Sequence, residues 1–122
     1  MSSVQSYRDL IVWQKSIALA RMIYEFSRKL PREELYGLTS QMRRAAVSIP
    51  ANIAEGQARQ STGEFRQFLG ISRGSLAELE TLLVLSKELA YATNESVEPL
   101  LSACEEISKM LRALLHSLST IH

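Results

Sequence analysis

The sequence is poor in the residues on which most catalytic chemistry depends, and in the residues that interrupt helices and strands. Its 122 residues include one cysteine, two histidines, three prolines and five glycines, and only 7% are aromatic. A single cysteine, Cys104, excludes an internal disulfide and fits a reducing cytoplasm. No apolar run approaches the roughly 18 residues of a membrane-spanning helix, and residues 1–6 lack the start of a secretory signal. The composition therefore predicts a cytoplasmic protein with no membrane partner.

The scarcity of histidine leaves little material for catalysis. His116 and His122 lie near the C-terminus, so the many serines have no general base in the body of the chain. No Glu-x-x-His motif, phosphate-binding glycine loop or zinc-ligand spacing is present. Cys104 lies in a row of apolar residues at heptad spacing, so it is more readily interpreted as a small buried core residue than as a nucleophile. We therefore predict a non-enzyme with no catalytic residues, no bound metal and no cofactor.

Helical periodicity extends along almost the whole chain. We predict four helices, at about 10–30, 38–58, 62–91 and 96–119. Ser61 and Glu64 form a capping box for the third helix, and the fourth begins near Ser96. Pro50 is expected to bend the second helix without ending it, because the apolar spacing continues beyond it. Short connections make consecutive helices antiparallel neighbours, so residues 1–122 are predicted to form one domain, an all-α, up-down-up-down four-helix bundle.

Two features of the sequence predict helix surfaces that make contacts in addition to those with the bundle core. The first helix carries a second apolar stripe, formed by Trp13, Ile17, Ala20 and Tyr24. Part of this stripe is expected to contact a neighbouring subunit. Gly70 and Gly74 are one helical turn apart, and each glycine costs about 1 kcal/mol relative to alanine in a helix. Close helix contact is the expected compensation.

Charge is divided unevenly along the chain, although the net charge is only +1. Residues 1–73 carry eleven Lys or Arg against six Asp or Glu, and residues 74–122 carry three against seven. This asymmetry favours polyanion binding on one surface or head-to-tail self-association, with mixed solvated helix faces as the alternative. Tyr36, Tyr91 and Trp13 are available to stack on bases, although aromatics near helix ends more often pack against the core.

Arginines of the second and third helices are the candidate binding residues. Arg66 and Arg73 share a helix face, with Arg59 one heptad earlier. Arg43 and Arg44 lie in the first half of the second helix. Several guanidinium groups on one surface suffice for binding phosphates, because counterion release supplies most non-specific affinity. Pairing with neighbouring glutamates inside the chain is the competing interpretation.

A polar pair interrupts the second helix. Asn52 and Glu55 are neighbours on one helix face between apolar residues, so burial would oblige each to find a partner. Arg73 is a suitable partner from the third helix, and Glu78 lies on the same helix. We interpret Asn52, Glu55, Arg73 and Glu78 as a structural polar network in preference to a ligand site.

Three segments carry a resemblance to a known family: Asp9–Lys15, Tyr36–Gly56 and Glu64–Thr81. In this order they resemble the bacterial four-helix-bundle proteins encoded in intervening sequences of 23S ribosomal RNA genes, often labelled ribosomal protein S23. That family is similar in turn to the accessory variability determinant protein of diversity-generating retroelements. The resemblance covers nearly the whole chain.

The resemblance implies a homopentameric ring and, in the retroelement relative, a basic ring surface that binds nucleic acid and a reverse transcriptase. The positions that match the two helix motifs are Arg43, Arg44, Asn52, Glu55, Gly56, Arg66, Arg73, Gly74 and Glu78. The net charge of +1 is lower than a dedicated polyanion binder would show. Two functions are predicted: a ring that binds RNA or DNA through its second and third helices, or an adaptor that scaffolds a protein partner such as a reverse transcriptase without touching nucleic acid.

Overall fold

The computed structural model describes residues 5–119, and the regular structure in this range is entirely helical. Four long helices follow the chain in order: α1, Ile11–Ser27; α2, Ser40–Gln57; α3, Thr62–Glu88; and α4, Asn94–Ser119. Shorter helical turns occupy Tyr7–Asp9, Arg32–Glu34 and Leu35–Thr39. The prediction of an all-α protein with four helices is confirmed. His122 and residues 1–4, which entered the predictions above, lie outside the described residues.

Helices α1 and α3 end earlier than predicted, for local reasons. α1 stops at Ser27, and Leu30 is buried in the turn that follows it. α3 stops at Glu88 because Ala90 adopts a positive φ of 63°. The amide of Ala90 then donates to the Lys87 carbonyl and the amide of Tyr91 to the Ser86 carbonyl, both at 2.9 Å. This pair of bonds is a Schellman cap, which satisfies carbonyls that a helix end leaves unpaired.

The starts of α3 and α4 show how side chains set helix boundaries. At α3, the Ser61 hydroxyl accepts from the Glu64 amide at 3.1 Å, so Ser61 is confirmed as the cap. The other half of the predicted box differs, because the Glu64 carboxylate accepts from the Ser61 hydroxyl at 3.1 Å. α4 begins two residues before the predicted Ser96. Thr93 accepts from the Ser96 amide through its hydroxyl, and Ser96 accepts from the Thr93 amide, each at 3.1 Å. Thr93 therefore caps α4 with a reciprocal pair of bonds, and Ser96 belongs to the first turn.

One hydrophobic core takes side chains from all four long helices. Its largest fully buried members are Leu19, Ile23, Met42, Ile49, Ile53, Leu69, Leu76, Leu79, Leu83, Val97, Ile107 and Leu111. Pro50 is buried inside α2, which continues through it to Gln57 as predicted. Within residues 5–119, no helix is long and apolar enough to cross a membrane.

The tightest contact found at a glycine lies between α2 and α3. A Cβ placed on Gly56 would lie 2.7 Å from Cβ of Phe68 and 3.0 Å from Cδ1 of Phe65. Gly70 and Gly74, for which close helix contact was predicted, are exposed, and a Cβ on either would meet nothing within 4 Å. Within the chain, that prediction is wrong. The glycine that permits close packing is Gly56.

Candidate functional site

Asn52 belongs to a polar network different from the predicted one. Its amide nitrogen donates to the Ser48 carbonyl at 2.8 Å and to the Ser48 hydroxyl at 2.9 Å. The Ser48 hydroxyl in turn shares a hydrogen bond of 2.8 Å with Ser75 of α3. One turn along, the Ser72 hydroxyl donates to the Ile49 carbonyl at 2.9 Å. These small hydroxyl groups join α2 to α3, which sequence reasoning missed because serine is common on solvated helix faces.

The other three residues of the predicted network lie elsewhere. Glu55, in the last turn of α2, pairs at 2.8 Å with Arg59, which lies just beyond the end of that helix. Arg73 and Glu78 are exposed, and neither forms a hydrogen bond or ion pair with the rest of the predicted network in the described chain. The cause is helix phase: Arg73 is two residues from Ser75, which places it on the opposite side of α3.

The five candidate arginines divide into three environments. Arg59 is internally satisfied, because it also approaches Glu64 at 3.7 Å and its guanidinium lies 5.0 Å from the Phe68 ring centre. Arg66 and Arg73 are exposed on the flank of α3 that faces away from α2, with no ion pair among residues 5–119. The predicted single basic surface is therefore at least two separate surfaces.

Arg43 and Arg44 occupy the third environment. The Nε of Arg43 donates to the Ser27 hydroxyl at 2.8 Å, and its guanidinium lies 4.7 Å from the Tyr24 ring centre. These contacts fix Arg43 against α1 and leave its two terminal nitrogens without a protein partner in the described part of the chain. Arg44 is exposed, and its side chain has no hydrogen bond or ion pair with any residue that the structure describes.

Both arginines border a cleft between α1, the Leu35–Thr39 turn and α2. This α1–α2 cleft has a volume of about 770 Å³. Its lining consists of Tyr24, Leu35, Tyr36, Thr39, Ser40, Arg43, Arg44, Val47 and Ser48. Two cations, two tyrosines and several hydroxyl groups therefore line the cleft, and none of its described lining residues carries a carboxylate. Such a surface attracts anions and offers flat aromatic faces beside them.

The turn before α2 determines where Tyr36 lies. Leu35–Thr39 is a π-helical turn interrupted at Gly37, whose φ of −115° and ψ of −106° are not helical. Glu34 caps the turn by accepting from the Leu38 amide at 3.1 Å. Tyr91, from the α3–α4 connection, donates its hydroxyl to the other Glu34 oxygen at 3.1 Å. This bond favours the protonated phenol and raises the pKa of Tyr91.

Of the three aromatics considered for stacking, one remains free. Trp13 is half-buried and packs edge-on against Tyr7, with ring centres 5.2 Å apart. Tyr91 is half-buried and bound to Glu34. Tyr36, in contrast, exposes 92% of its surface. Sequence reasoning favoured core packing for all three, because nothing local indicates that the turn directs Tyr36 outwards.

Cys104 is buried as predicted. Burial, and secondarily the negative charge of Glu80, raise the pKa of its thiol from 9.0 to about 12. The thiol is therefore protonated at neutral pH and is a poor nucleophile. In the described chain, no group of three or more His, Cys, Asp and Glu side chains is placed to hold a metal ion.

Cys104 should contribute a pH dependence to stability. Because its folded-state pKa is raised, its contribution is fully present below pH 9 and is lost as the pH rises towards 12. Urea unfolding at pH 8 and pH 10 should show a larger loss of unfolding free energy in the native sequence than in Cys104→Ala. Equal losses in the two proteins would mean that the thiol ionises as readily in the folded chain as in the unfolded one.

Two comparisons relate the chain to known proteins. The model of the family described as 23S rRNA-intervening sequence protein matches residues 8–113. The fold is similar to the crystal structure of a protein of unknown function from the S23 ribosomal protein family of Bacteroides thetaiotaomicron VPI-5482, with a TM-score of 0.80 and 30% sequence identity. The match covers 86% of this chain and 98% of that chain. No curated protein matches the sequence.

Proposed function

Because this chain belongs to the family of 23S rRNA-intervening sequence proteins, we propose that it is a non-enzymatic, cytoplasmic bundle that forms a homopentameric ring and binds nucleic acid through basic residues of α2 and α3. The helices would follow an antiparallel up-down-up-down path. In support of that path, rising positions on α2 meet falling positions on α3: Ser48 contacts Ser75, and Gly56 contacts Phe68.

The observation that carries the nucleic-acid proposal is the α1–α2 cleft. Arg44 has no partner in the described chain, and Arg43 is held in place by Ser27 and Tyr24 with its terminal nitrogens available. A guanidinium that is already fixed loses little further side-chain entropy when it binds a phosphate. Since no carboxylate lines the cleft among residues 5–119, no described acidic side chain there competes with a phosphate for these two cations.

Arg66 and Arg73 would provide a second contact surface on each subunit, whereas Arg59 contributes less because Glu55 and Glu64 neutralise it. A ring repeats both surfaces around its axis. Several weak phosphate contacts on one assembly then act together, which raises the overall affinity without any new contact. The repetition of these phosphate contacts around the ring would offset the low net charge of each chain.

Fluorescence anisotropy tests this function. Labelled RNA and DNA oligonucleotides are titrated with purified protein from low to physiological salt. We expect sub-micromolar binding at low salt that weakens steeply as salt rises, because each neutralised phosphate contributes about 0.7–0.9 to the logarithmic slope. No binding even at the lowest salt would contradict the proposal and leave the arginines without this role.

Self-association is supported by the outer face of α3. Gly70 and Gly74 are exposed there without a neighbour, and Ile71 and Leu85 expose 45% and 41% of their surfaces. Small residues beside exposed apolar ones suit close contact with another copy, in which the glycines would have the packing role that they lack within the chain. On α1, Ile17 of the second apolar stripe is likewise 44% exposed.

Gly74→Leu should separate the subunits without unfolding them. A Cβ at this exposed position meets nothing within 4 Å in the described chain, and leucine is a strong helix former, so helix content should be retained. Light scattering should give five times the 13.7 kDa chain mass for the native sequence and a smaller mass for the variant. An unchanged mass would exclude this face from the subunit contact.

An adaptor that scaffolds a protein partner, such as a reverse transcriptase, is the alternative function. It is favoured by the acidic groove between α3 and α4, where Glu80, Glu98 and Glu105 lie together and would repel nucleic acid. Burial and the neighbouring Glu105 carboxylate raise the pKa of Glu80. A purified reverse transcriptase that binds the ring stoichiometrically after nuclease treatment, with no nucleic-acid binding by the ring alone, would support this alternative.

A further inference from the structure

We propose that the α1–α2 cleft binds unpaired bases, with the ring of Tyr36 as the stacking surface, so that the preferred ligand is single-stranded nucleic acid. The inference rests on the proposed nucleic-acid function and adds its ligand class. Tyr36 exposes 92% of its surface. Of the large hydrophobic side chains in the described chain, the next most exposed is Ile11 at 58%.

The exposed position of Tyr36 is built into the fold. Glu34 caps the turn through the Leu38 amide and is itself held by the Tyr91 hydroxyl. A Cβ on Gly37 would lie 2.9 Å from Oε1 of Glu34, so a larger residue here would displace the carboxylate that caps the turn. Buried Leu38 then anchors the start of α2. A contact between residues 57 positions apart therefore fixes a turn that directs an aromatic ring away from the core.

The chemistry around the ring fits a nucleotide. A base can stack on the tyrosine face, while Arg44 and the terminal nitrogens of Arg43 contact the adjoining phosphates. Every base has a flat π-face, so this mode tolerates many sequences. A duplex keeps its bases stacked on one another and presents mainly phosphates to this cleft. Tyr36 should therefore contribute to binding single strands and contribute little to binding duplexes.

The experiment compares three ligands of equal length and label in the anisotropy assay: a single strand, the same strand with abasic sites, and a duplex. Tyr36→Ala should weaken single-strand binding by about five- to 150-fold, the range expected when one base loses its aromatic partner. Binding of the abasic strand and the duplex should change by less than about twofold. Tyr36→Phe, which keeps the ring and removes only the hydroxyl, should bind like the native sequence.

A second readout reports stacking directly. Trp13 is the only tryptophan, so Tyr36→Trp in a Trp13→Phe background places a single fluorophore at the proposed contact. Its fluorescence should be quenched by the single strand and much less by the abasic strand. Equal quenching by both strands would indicate proximity to the backbone without base stacking, and would overturn the inference.

The remaining outcomes distinguish a failure of the stacking inference from a failure of the proposed nucleic-acid function. If the native protein binds no ligand at any salt, both fail together. If the native protein binds and Tyr36→Ala binds single strands equally well, or weakens duplex and single strand alike, only the stacking inference fails. If Tyr36→Ala lowers the mass measured by light scattering, Tyr36 belongs to a subunit or partner contact, and the inference is again overturned.

Discussion

Arg44→Glu is expected to weaken binding of RNA and DNA by about tenfold or more at low salt, while the helical circular dichroism stays unchanged. The substitution removes one phosphate contact and adds a repulsive charge in a cleft that has no carboxylate of its own. If the subunits form a ring, every copy loses this contact. The logarithmic salt slope should fall by about 0.7–0.9 for each phosphate contact that is lost. The variant should fold normally, because Arg44 is exposed and has no partner in the described residues.

Lys109→Glu is the matched control for this experiment. It makes the same change of charge on α4, beside Glu105 and Glu106 and away from the α1–α2 cleft. If both variants lose the same affinity, binding depends on total charge and the cleft has no special role. Arg43 is a poorer target for charge reversal, because its contacts with Ser27 and Tyr24 hold α2 against α1 and their loss would confuse binding with folding.

Gly56→Ala is expected to lower the free energy of unfolding, because forcing a methyl group into a packed core usually costs about 1–3 kcal/mol. The new Cβ would lie 2.7 Å from Cβ of Phe68 and 3.3 Å from the carbonyl oxygen of Phe65. Neither atom is the flexible end of a side chain, so α2 and α3 must move apart. This loss should exceed the gain of about 1 kcal/mol that alanine normally brings to a helix.

Gly63→Ala is the control for Gly56→Ala. Its Cβ meets nothing within 4 Å in the described chain, and it lies in the first turn of α3, outside the proposed subunit contact, so this variant should lose no stability. Urea unfolding followed by circular dichroism measures both variants. If Gly56→Ala were as stable as Gly63→Ala, the close approach of α2 and α3 at Gly56 would be wrong.

The sequence was a sufficient guide where a feature depends on neighbouring residues. The Ser61 cap of α3 and the burial of Cys104 follow from spacings of a few residues, and both are confirmed. The start of α4 was misplaced by two residues, because Thr93 competes with Ser96 as a cap and the two bond reciprocally. Local patterns therefore locate helices well and their ends less well.

Features that depend on how one helix is rotated against another were not predicted. Gly56, Gly70 and Gly74 look alike in the sequence, yet only Gly56 faces a neighbouring helix. Likewise, Asn52 and Arg73 were paired on chemistry alone, whereas the phase of α3 directs Ser75 towards α2 and Arg73 away from it. Helical spacing shows which residues share a face, but not which element that face meets.

The exposed position of Tyr36 could not be predicted from local sequence either, because it depends on a contact between residues that are far apart in the chain. The turn that carries it is held by Tyr91, which is 57 residues from Glu34 in sequence. No window along the chain contains both partners. The Tyr36 side of the α1–α2 cleft therefore depends on a contact from the α3–α4 connection, which no local sequence pattern encodes.

Photo-crosslinking tests most directly whether the α1–α2 cleft binds nucleic acid. A single-stranded RNA that contains photoreactive uridines is bound at low salt and irradiated, and the protein is digested with trypsin and analysed by mass spectrometry. We expect crosslinks in the peptide Glu33–Arg43, which contains Tyr36 and ends at an arginine of the cleft. Crosslinks confined to peptides of α3 and α4, in a protein that still binds the RNA, would contradict the assignment of this cleft.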